Sequence, residues 1–382
     1  MTDITSKIVA SGRLLPAIHG LRGAAALAVV IFHAIAILKI SLPGFLNFAG
    51  KYFGYSVHLF FVLSAFSLMY STLPTIRSDV WVQNYFIKRF FRIAPLFYFI
   101  CFVMILWRYF SRSPLPDVPE ILANVTFTFG LVPPYTGGLV WAGWAIGAEV
   151  LFYALFPVLL MLVTNLRSSS IFLALAILAS FALRSILHHQ FLSSTPAPRY
   201  DPSYFFFGSN GLFFAFGIWA FYLRDHIKQS ESLLRIARLW ALALLAGLLF
   251  FNLASGIQIY ARVDLVAWGL AFALLCVVES LKPSILMANC VMEYFGERSF
   301  SIYLVHPFAL FLAKPSFEAF RGHALPLVGS TLTAFAELIA AVALILPLAE
   351  ATYRLIEVPG INLGKALIKK MGQKRECDQF QR

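Results

Sequence analysis

The feature that most constrains the fold of this chain is a series of apolar runs, each about 20 residues long, along almost its whole length. A helix of about that length crosses the ~30 Å hydrocarbon core of a bilayer. The segment 119–139 is also apolar, but Pro and Gly pairs interrupt it, which predicts a re-entrant or interfacial segment rather than a further span. The ten predicted spans are 23–41, 54–73, 94–110, 144–164, 170–187, 205–223, 239–254, 263–281, 300–317 and 325–348.

Composition agrees with this interpretation. Hydrophobic residues make up 60% of the chain and charged residues only 13%, against roughly 45–50% and about 25% in soluble domains. A soluble protein of this length needs far more surface charge. The sequence therefore predicts an all-α, polytopic membrane protein with about ten transmembrane helices, in which residues 1–382 form a single integral-membrane domain.

Basic residues indicate the orientation of the helices. The net charge is +12, from 30 Lys and Arg against 18 Asp and Glu. If the N-terminus is cytoplasmic, most of the basic residues fall in inner segments, which is the usual bias of membrane proteins. We therefore predict N-in, C-in topology, with 1–20 as a cytoplasmic N-terminal segment, 361–382 as a basic cytoplasmic tail, and the polar connection 188–204 outside. Topology and contact with membrane lipids thus explain the positive charge without nucleic acid.

The cysteines give no evidence of a metal site or a disulfide framework. None of the four shows a CxxC or paired spacing, and such spacings are the usual signature of both. We expect no bound metal, and the sequence leaves the oligomeric state open.

The stretch 21–34, "LRGAAALAVVIFHA", carries two residues that are unfavourable in lipid, Arg22 and His33. Eleven residues of helix advance about 16 Å and complete three turns plus roughly 20°, so both side chains lie on one face. An ionisable group inside a span is costly and usually faces the bundle interior. We expect Arg22 at the cytoplasmic rim and His33 near the midplane. A flanking topology signal and a helix–helix hydrogen bond, respectively, are the structural alternatives.

Three further ionisable residues occur within spans. Glu149 lies near the outer end of its span and needs a partner from another helix, because no basic residue is close in sequence. His58 also lies toward the outer end, while His306 precedes Pro307 in the inner half of the ninth span. Structural roles are alternatives for all three residues: a salt bridge for Glu149, an interfacial position for His58 and helix packing for His306.

A basic cluster precedes the third span in "FIKRFFRIAPLFYF", residues 86–99. Lys88, Arg89 and Arg92 fit a topology signal, but Arg also suits phosphate recognition. With Arg22 they are our candidates for binding the phosphates of a nucleotide-bearing donor at the inner face.

Six sequence blocks, taken in order over nearly the whole chain, resemble the integral-membrane acyltransferase 3 family. Its most characteristic motif is an Arg followed after ten residues by a His in the first span, which Arg22 and His33 match. The second block differs from the usual pattern in having His58 in place of an acidic residue and Ala65 in place of a glycine. The blocks are "LPAIHGLRGAAALAVVIFHA", "GYSVHLFFVLSAFSLMY", "FIKRFFRIAPLFYF", "WAGWAIGAEVLFYALFP", "ERSFSIYLVHPF" and "YRLIEVPG".

The resemblance implies a multi-pass protein of the bacterial inner (plasma) membrane that transfers acyl groups, usually acetyl from acetyl-CoA, to hydroxyls of a cell-surface or lipid-linked glycan. It implies His33 as the central catalytic residue and acyl-CoA as a donor substrate rather than a permanently bound cofactor. Histidine suits the removal of a hydroxyl proton near neutral pH. A covalent acyl-histidine remains an alternative to direct transfer. Glu149 is assigned a catalytic role in orienting an imidazole or the acceptor, and His58, His306 and Trp144 are assigned to substrate binding.

Two other functions use the same residues. A secondary transporter can carry protons or substrate along a column of ionisable side chains, although the paired interrupted helices of inverted repeats are not evident here. A flippase or binding component for a lipid-linked glycan is the other alternative. Release of free CoA from acetyl-CoA in the presence of an acceptor distinguishes an acyltransferase from both.

Overall fold

The computed structural model describes residues 15–76, 78–193, 201–255 and 264–380, and all regular structure within these residues is helical. The all-α prediction is therefore confirmed. The helices are α1 (Pro16–Leu38), α2 (Asn47–Tyr52), α3 (Ser56–Thr72), α4 (Trp81–Phe110), α5 (Val118–Val125), α6 (Trp144–Leu162), α7 (Leu166–Ser193), α8 (Pro202–Phe205), α9 (Phe207–Ile227), α10 (Glu231–Ser255), α11 (Asp264–Leu281), α12 (Cys290–Glu297), α13 (Ser299–Thr352) and α14 (Val358–Phe380).

Nine helices in the described part of the chain are long and apolar enough to cross a membrane. The predicted spans 300–317 and 325–348 both lie within α13, which consists of two helices joined at a kink. The first of them continues through residues 318–324, where a connection was predicted. Its helical backbone is interrupted only at Gly329, whose φ of 77° and ψ of 170° suit a residue without a Cβ. The two helices fold back on each other, because Arg298, just before α13, donates to Glu350 near its end. The ten predicted spans thus correspond to nine elements in the described residues, the last of which contains two of them. The N-in, C-in orientation stays a prediction.

As predicted, the segment 119–139 does not form a spanning helix. Within it, only α5 and two short 3₁₀ turns, Thr128–Leu131 and Pro133–Tyr135, are regular. Phe129 anchors the segment to the bundle: its ring is completely buried and stacks on Phe97 at 5.9 Å between centroids. The polar connection 188–204 is described only in part, because residues 194–200 lie outside the described residues.

One boundary prediction is corrected. The third span was expected to begin at residue 94, after the basic cluster, but α4 begins at Trp81 and includes that cluster. Lys and Arg are good helix formers whose long side chains can reach a polar surface from inside a helix. The segment 361–382 was predicted to be a basic cytoplasmic tail; α14 makes it helical through Phe380, and its cytoplasmic location stays a prediction.

Close packing places α1 among the central helices, in contact with α3, α12 and α13. A Cβ added at Gly20 would lie 1.8 Å from the Met287 carbonyl oxygen, and one at Gly296 would lie 2.1 Å from that of His19. Glycine is therefore required for α1 and α12 to approach this closely, as at many membrane helix interfaces. This contact fixes the height and rotation of α1, and hence of Arg22 and His33, against the start of α13.

Candidate active site

The two histidines predicted in separate spans meet inside the bundle. His33 Nδ1 on α1 lies 3.0 Å from His306 Nε2 on α13, and the ring centroids are 4.9 Å apart. His306 is completely buried, whereas His33 is partly exposed. Of the pair, His33 is therefore the residue that a substrate can reach.

Backbone carbonyls determine which ring nitrogens carry protons. His306 Nδ1 lies 3.0 Å from the Ile302 carbonyl oxygen, and His33 Nδ1 lies 3.1 Å from the Val29 carbonyl oxygen. A carbonyl oxygen can only accept, so both Nδ1 atoms are donors. In the neutral pair, His306 Nε2 accepts from His33 Nδ1–H, and the proton positions follow from this network. His33 Nε2 is then left with an unshared electron pair.

A narrow cavity of about 30 Å³ lies near this pair, although neither histidine lines it. Tyr303 connects the two features: it lines the cavity, its ring lies 5.8 Å from that of His306, and its hydroxyl donates to the Ala142 carbonyl oxygen at 2.7 Å. Helices α1, α3, α6 and α13 all contribute to the wall. The lining residues are Arg22, Val57, Phe60, Phe61, Ala145, Ile146, Glu149, Ser299, Phe300 and Tyr303.

Glu149 faces this cavity and is held by hydroxyl groups rather than by an imidazole. Its Oε1 accepts from the Ser64 hydroxyl at 2.6 Å and from the Tyr153 hydroxyl, and the two hydroxyl oxygens are 3.0 Å apart. Ser64 and Tyr153 were not among the predicted site residues. Two features of the sequence could have indicated them. Tyr153 follows Glu149 by four residues, which puts both on one helix face, and Ser64 is a polar residue inside the apolar run of α3.

Arg22 and Glu149 line the same cavity. The sequence had predicted them toward opposite sides of the membrane. Its guanidinium lies 5.8 Å from the centroid of the Phe60 ring and forms no ion pair or hydrogen bond with any described residue. It interacts electrostatically with Arg92, Glu149 and Glu357. Arg22 is thus an intramembrane cation that faces open space.

Glu357 is missing from the predicted site but belongs to this polar region. It is 2% exposed and accepts from the Ser301 hydroxyl at 2.7 Å. A π-helical turn, Tyr353–Glu357, places it there, and such turns are frequent at functional sites. The late block "YRLIEVPG" contains this turn, so the family resemblance was the signal for it.

The basic cluster on α4 does not converge on one point. Arg92 lies within electrostatic reach of Arg22 and Glu357. Arg89 packs over the rings of Tyr85 and Tyr153, at 5.8 and 5.7 Å, and lines a second, mainly apolar cavity between α4 and α6. Lys88 is exposed. Among these three residues, only Arg92 lies near Arg22.

His58 and Trp144 lie in an aromatic core and are not among the residues that line the cavity. His58 is completely buried, with Nε2 3.2 Å from Asn210 Oδ1 and its ring 4.2 Å from that of Phe213. The ring centroids of Trp144 and His58 are 6.2 Å apart. Arg184 also donates to Asn210 Oδ1, at 3.1 Å. This geometry ties α3, α7 and α9 together, and the substrate-binding assignment of both residues stays a prediction.

Comparison with known proteins identifies the family. Residues 15–352 match the family described as acyltransferase domain. The chain belongs to this acyltransferase family. It is also 24% identical, over 352 residues, to the peptidoglycan O-acetyltransferase OatA of Listeria monocytogenes, an alignment that covers 81% of this chain and 51% of the relative. The chain thus spans about half the length of that curated relative. No solved structure matches it.

Proposed function

We propose that this protein is a membrane O-acyltransferase that moves an acyl group, acetyl in the simplest case, from acyl-CoA to a hydroxyl of a cell-surface or lipid-linked glycan. Membership of the acyltransferase family and the similarity to a peptidoglycan O-acetyltransferase support this reaction class. We place the protein in the plasma membrane with both termini in the cytoplasm, since its basic residues favour that orientation.

The observation that carries the proposal is the polarised histidine pair. His306 and the Val29 carbonyl hold the proton of His33 on Nδ1, so His33 Nε2 can act as a base. In direct transfer, Nε2 takes the proton of the acceptor hydroxyl while its oxygen attacks the thioester carbonyl carbon. The carbon–sulfur bond then breaks, and the sulfur leaves as the thiol with the proton that His33 returns.

A covalent route uses the same nitrogen. Nε2 attacks the thioester carbon and the thiolate leaves, which gives an acyl-imidazolium. The acceptor hydroxyl then displaces the imidazole, and its proton passes to the thiolate. In both routes the positive charge that develops on His33 is stabilised by the hydrogen bond from Nδ1 to His306. Glu149 is placed differently in this scheme: its carboxylate is bound to Ser64 and Tyr153, so we assign it to the electrostatics of the cavity, opposite Arg22, rather than to orienting an imidazole.

In this proposal, Arg22 and Arg92 bind the phosphates of the acyl donor. Arg22 lines the cavity, and Arg92 lies close enough to interact electrostatically with Arg22. Arginine suits the phosphate groups of CoA. Arg89 lines the second cavity and Lys88 is exposed, so we expect their replacement by Gln to affect donor affinity less than replacement of Arg92.

The test is acyl transfer by the full chain in lipid nanodiscs. With acetyl-CoA and a candidate glycan acceptor, the protein should release free thiol and produce an acetylated glycan detectable by mass spectrometry. His33→Gln should reduce the rate by about 10²–10⁴. His323→Gln is the matched control, because His323 makes the same contact to the carbonyl four residues earlier, at 2.8 Å, on an exposed surface.

Two results would contradict the proposal. A well-folded His33→Gln protein that keeps most of its activity makes His33 a structural hydrogen-bonding residue. Absence of thiol release with every acceptor, combined with uptake of substrate into vesicles, indicates the transporter alternative instead. If the protein is active with another acyl donor but not with acetyl-CoA, it is an acyltransferase whose donor is not acetyl-CoA.

A further inference from the structure

The cavity beside the histidine pair presents hydrogen-bond donors that have nothing to bond. The Arg22 guanidinium lines it without an ion pair or hydrogen bond to any described residue. Ser299 also lines it: this residue is 1% exposed, and its hydroxyl has no hydrogen-bond partner among the described residues. A buried polar group left unsatisfied costs about 1–3 kcal/mol, so a ligand that satisfies it is favoured.

A helix begins at the same place. Ser299 is the first residue of α13, and no side chain caps this end. The first backbone N–H groups of a helix have no acceptor within it, and they carry the positive end of the helix dipole. Ser299 and Phe300 both line the cavity, so this helix end lies at its wall.

One oxygen of the carboxylate in the cavity already accepts hydrogen bonds. Glu149 Oε1 accepts two hydroxyl donors, from Ser64 and Tyr153, and neither Arg22 nor Ser299 bonds to it. The remaining wall is aromatic or aliphatic. The unmet requirement is therefore for acceptor oxygens that carry negative charge, next to Arg22 and Ser299.

We propose that Arg22, the Ser299 hydroxyl and the N-terminus of α13 form an anion subsite that binds a phosphoryl group. This inference rests on the proposed function, because it assigns the phosphoryl group to a substrate of the transfer reaction. Helix N-termini joined by an arginine are well suited to phosphate oxygens. The phosphoryl group can belong to CoA or to a lipid-linked phosphate, and binding measurements separate these two sources.

The experiment measures equilibrium binding to the full chain in nanodiscs, with two pairs of probes. CoA is compared with pantetheine, and a polyprenyl phosphate with the corresponding polyprenol. Ser299→Ala removes one oxygen atom and should weaken the phosphate-bearing probe of one pair about ten-fold or more, as expected for a hydrogen bond to a charged group. The phosphate-free probe of that pair should bind as before, and Arg22→Gln should show the same selectivity.

Ser209→Ala is the matched control. Ser209 is completely buried and its hydroxyl also has no described partner, but it lies on α9 and does not line the cavity. Its replacement should leave all four affinities unchanged.

Selectivity within the CoA pair supports a donor phosphate, and selectivity within the polyprenyl pair supports a lipid phosphate. If Ser299→Ala leaves every affinity unchanged, or weakens phosphate-bearing and phosphate-free probes equally, the subsite is refuted. These outcomes are independent of catalysis. If the protein binds phosphate-bearing probes selectively but transfers no acyl group, the proposed function is refuted and the subsite stands. If it transfers acyl groups normally but Ser299→Ala causes no phosphate-selective loss of binding, the subsite is refuted and the proposed function stands.

Discussion

The contact between the two imidazoles makes a quantitative prediction about His306. His306→Phe fills a completely buried position with a ring of similar size but removes the acceptor for His33 Nδ1–H. His306→Gln restores an acceptor oxygen and can still donate to the Ile302 carbonyl. Comparing these two variants separates loss of the hydrogen bond from loss of the imidazole itself.

The expected magnitude follows from the change in charge of His33. While His33 is neutral, its bond to His306 contributes about 0.5–1.5 kcal/mol, and once His33 has taken a proton the same bond contributes about 1.5–3 kcal/mol. Only the difference, on the order of 1–1.5 kcal/mol, favours the transition state, which is about ten-fold in rate. The Val29 carbonyl, 3.1 Å from His33 Nδ1, still selects the tautomer in the variant, so we expect no larger loss.

The assay is kcat for thiol release at saturating donor, with thermal unfolding of each variant as the check on folding. We expect kcat to fall about ten-fold in His306→Phe, to recover substantially in His306→Gln, and to fall by about 10²–10⁴ in His33→Ala. A folded His306→Phe protein with full activity would show that the contact is only structural. One as inactive as His33→Ala would assign proton or acyl transfer to His306 itself. Either result refutes the division of roles proposed here.

Three other predictions test the topology, the cavity and the packing. In intact cells, a cysteine introduced at Ser113, in the connection after α4, should react with an impermeant thiol reagent. A cysteine introduced at Ser230 should react only after permeabilisation. The opposite labelling pattern would show that the orientation in the membrane is reversed. Glu149→Gln keeps the acceptor oxygen but removes the charge, so transfer should slow at least several-fold while the melting temperature stays near that of the wild type; an unchanged rate would remove its electrostatic role. Gly296→Ala places a methyl group against a main-chain carbonyl of α1 and should lower the melting temperature, whereas Gly322→Ala, which meets open space, should not; equal melting temperatures would contradict the close packing.

The sequence determined the class of the protein because membrane insertion depends on local composition and length. Nearly every described long helix overlaps a run that could be recognised from about 20 apolar residues alone. Boundaries were less predictable. The start of α4 and the continuity of α13 through residues 318–324 depend on helix propensity and packing beyond the apolar core, which hydropathy does not report.

Arg22, His33, Glu149 and His306 could also be recognised individually, because an ionisable side chain in a span is costly and stands out in the sequence. Their arrangement could not. His33 and His306 are 273 residues apart, and their contact depends on the rotation of α13 against α1. That rotation follows from glycine contacts such as the one between Gly296 and His19.

Only the tertiary structure decided which polar residues share a cavity. Depth estimates along single helices separated Arg22 from Glu149, yet the two face the same space, because side-chain reach and helix packing, not sequence position, decide which groups meet. Ordinary serines such as Ser64 and Ser299 carry no signal of their own in the sequence. They become notable only when burial removes water and the fold places them beside a carboxylate or a cavity.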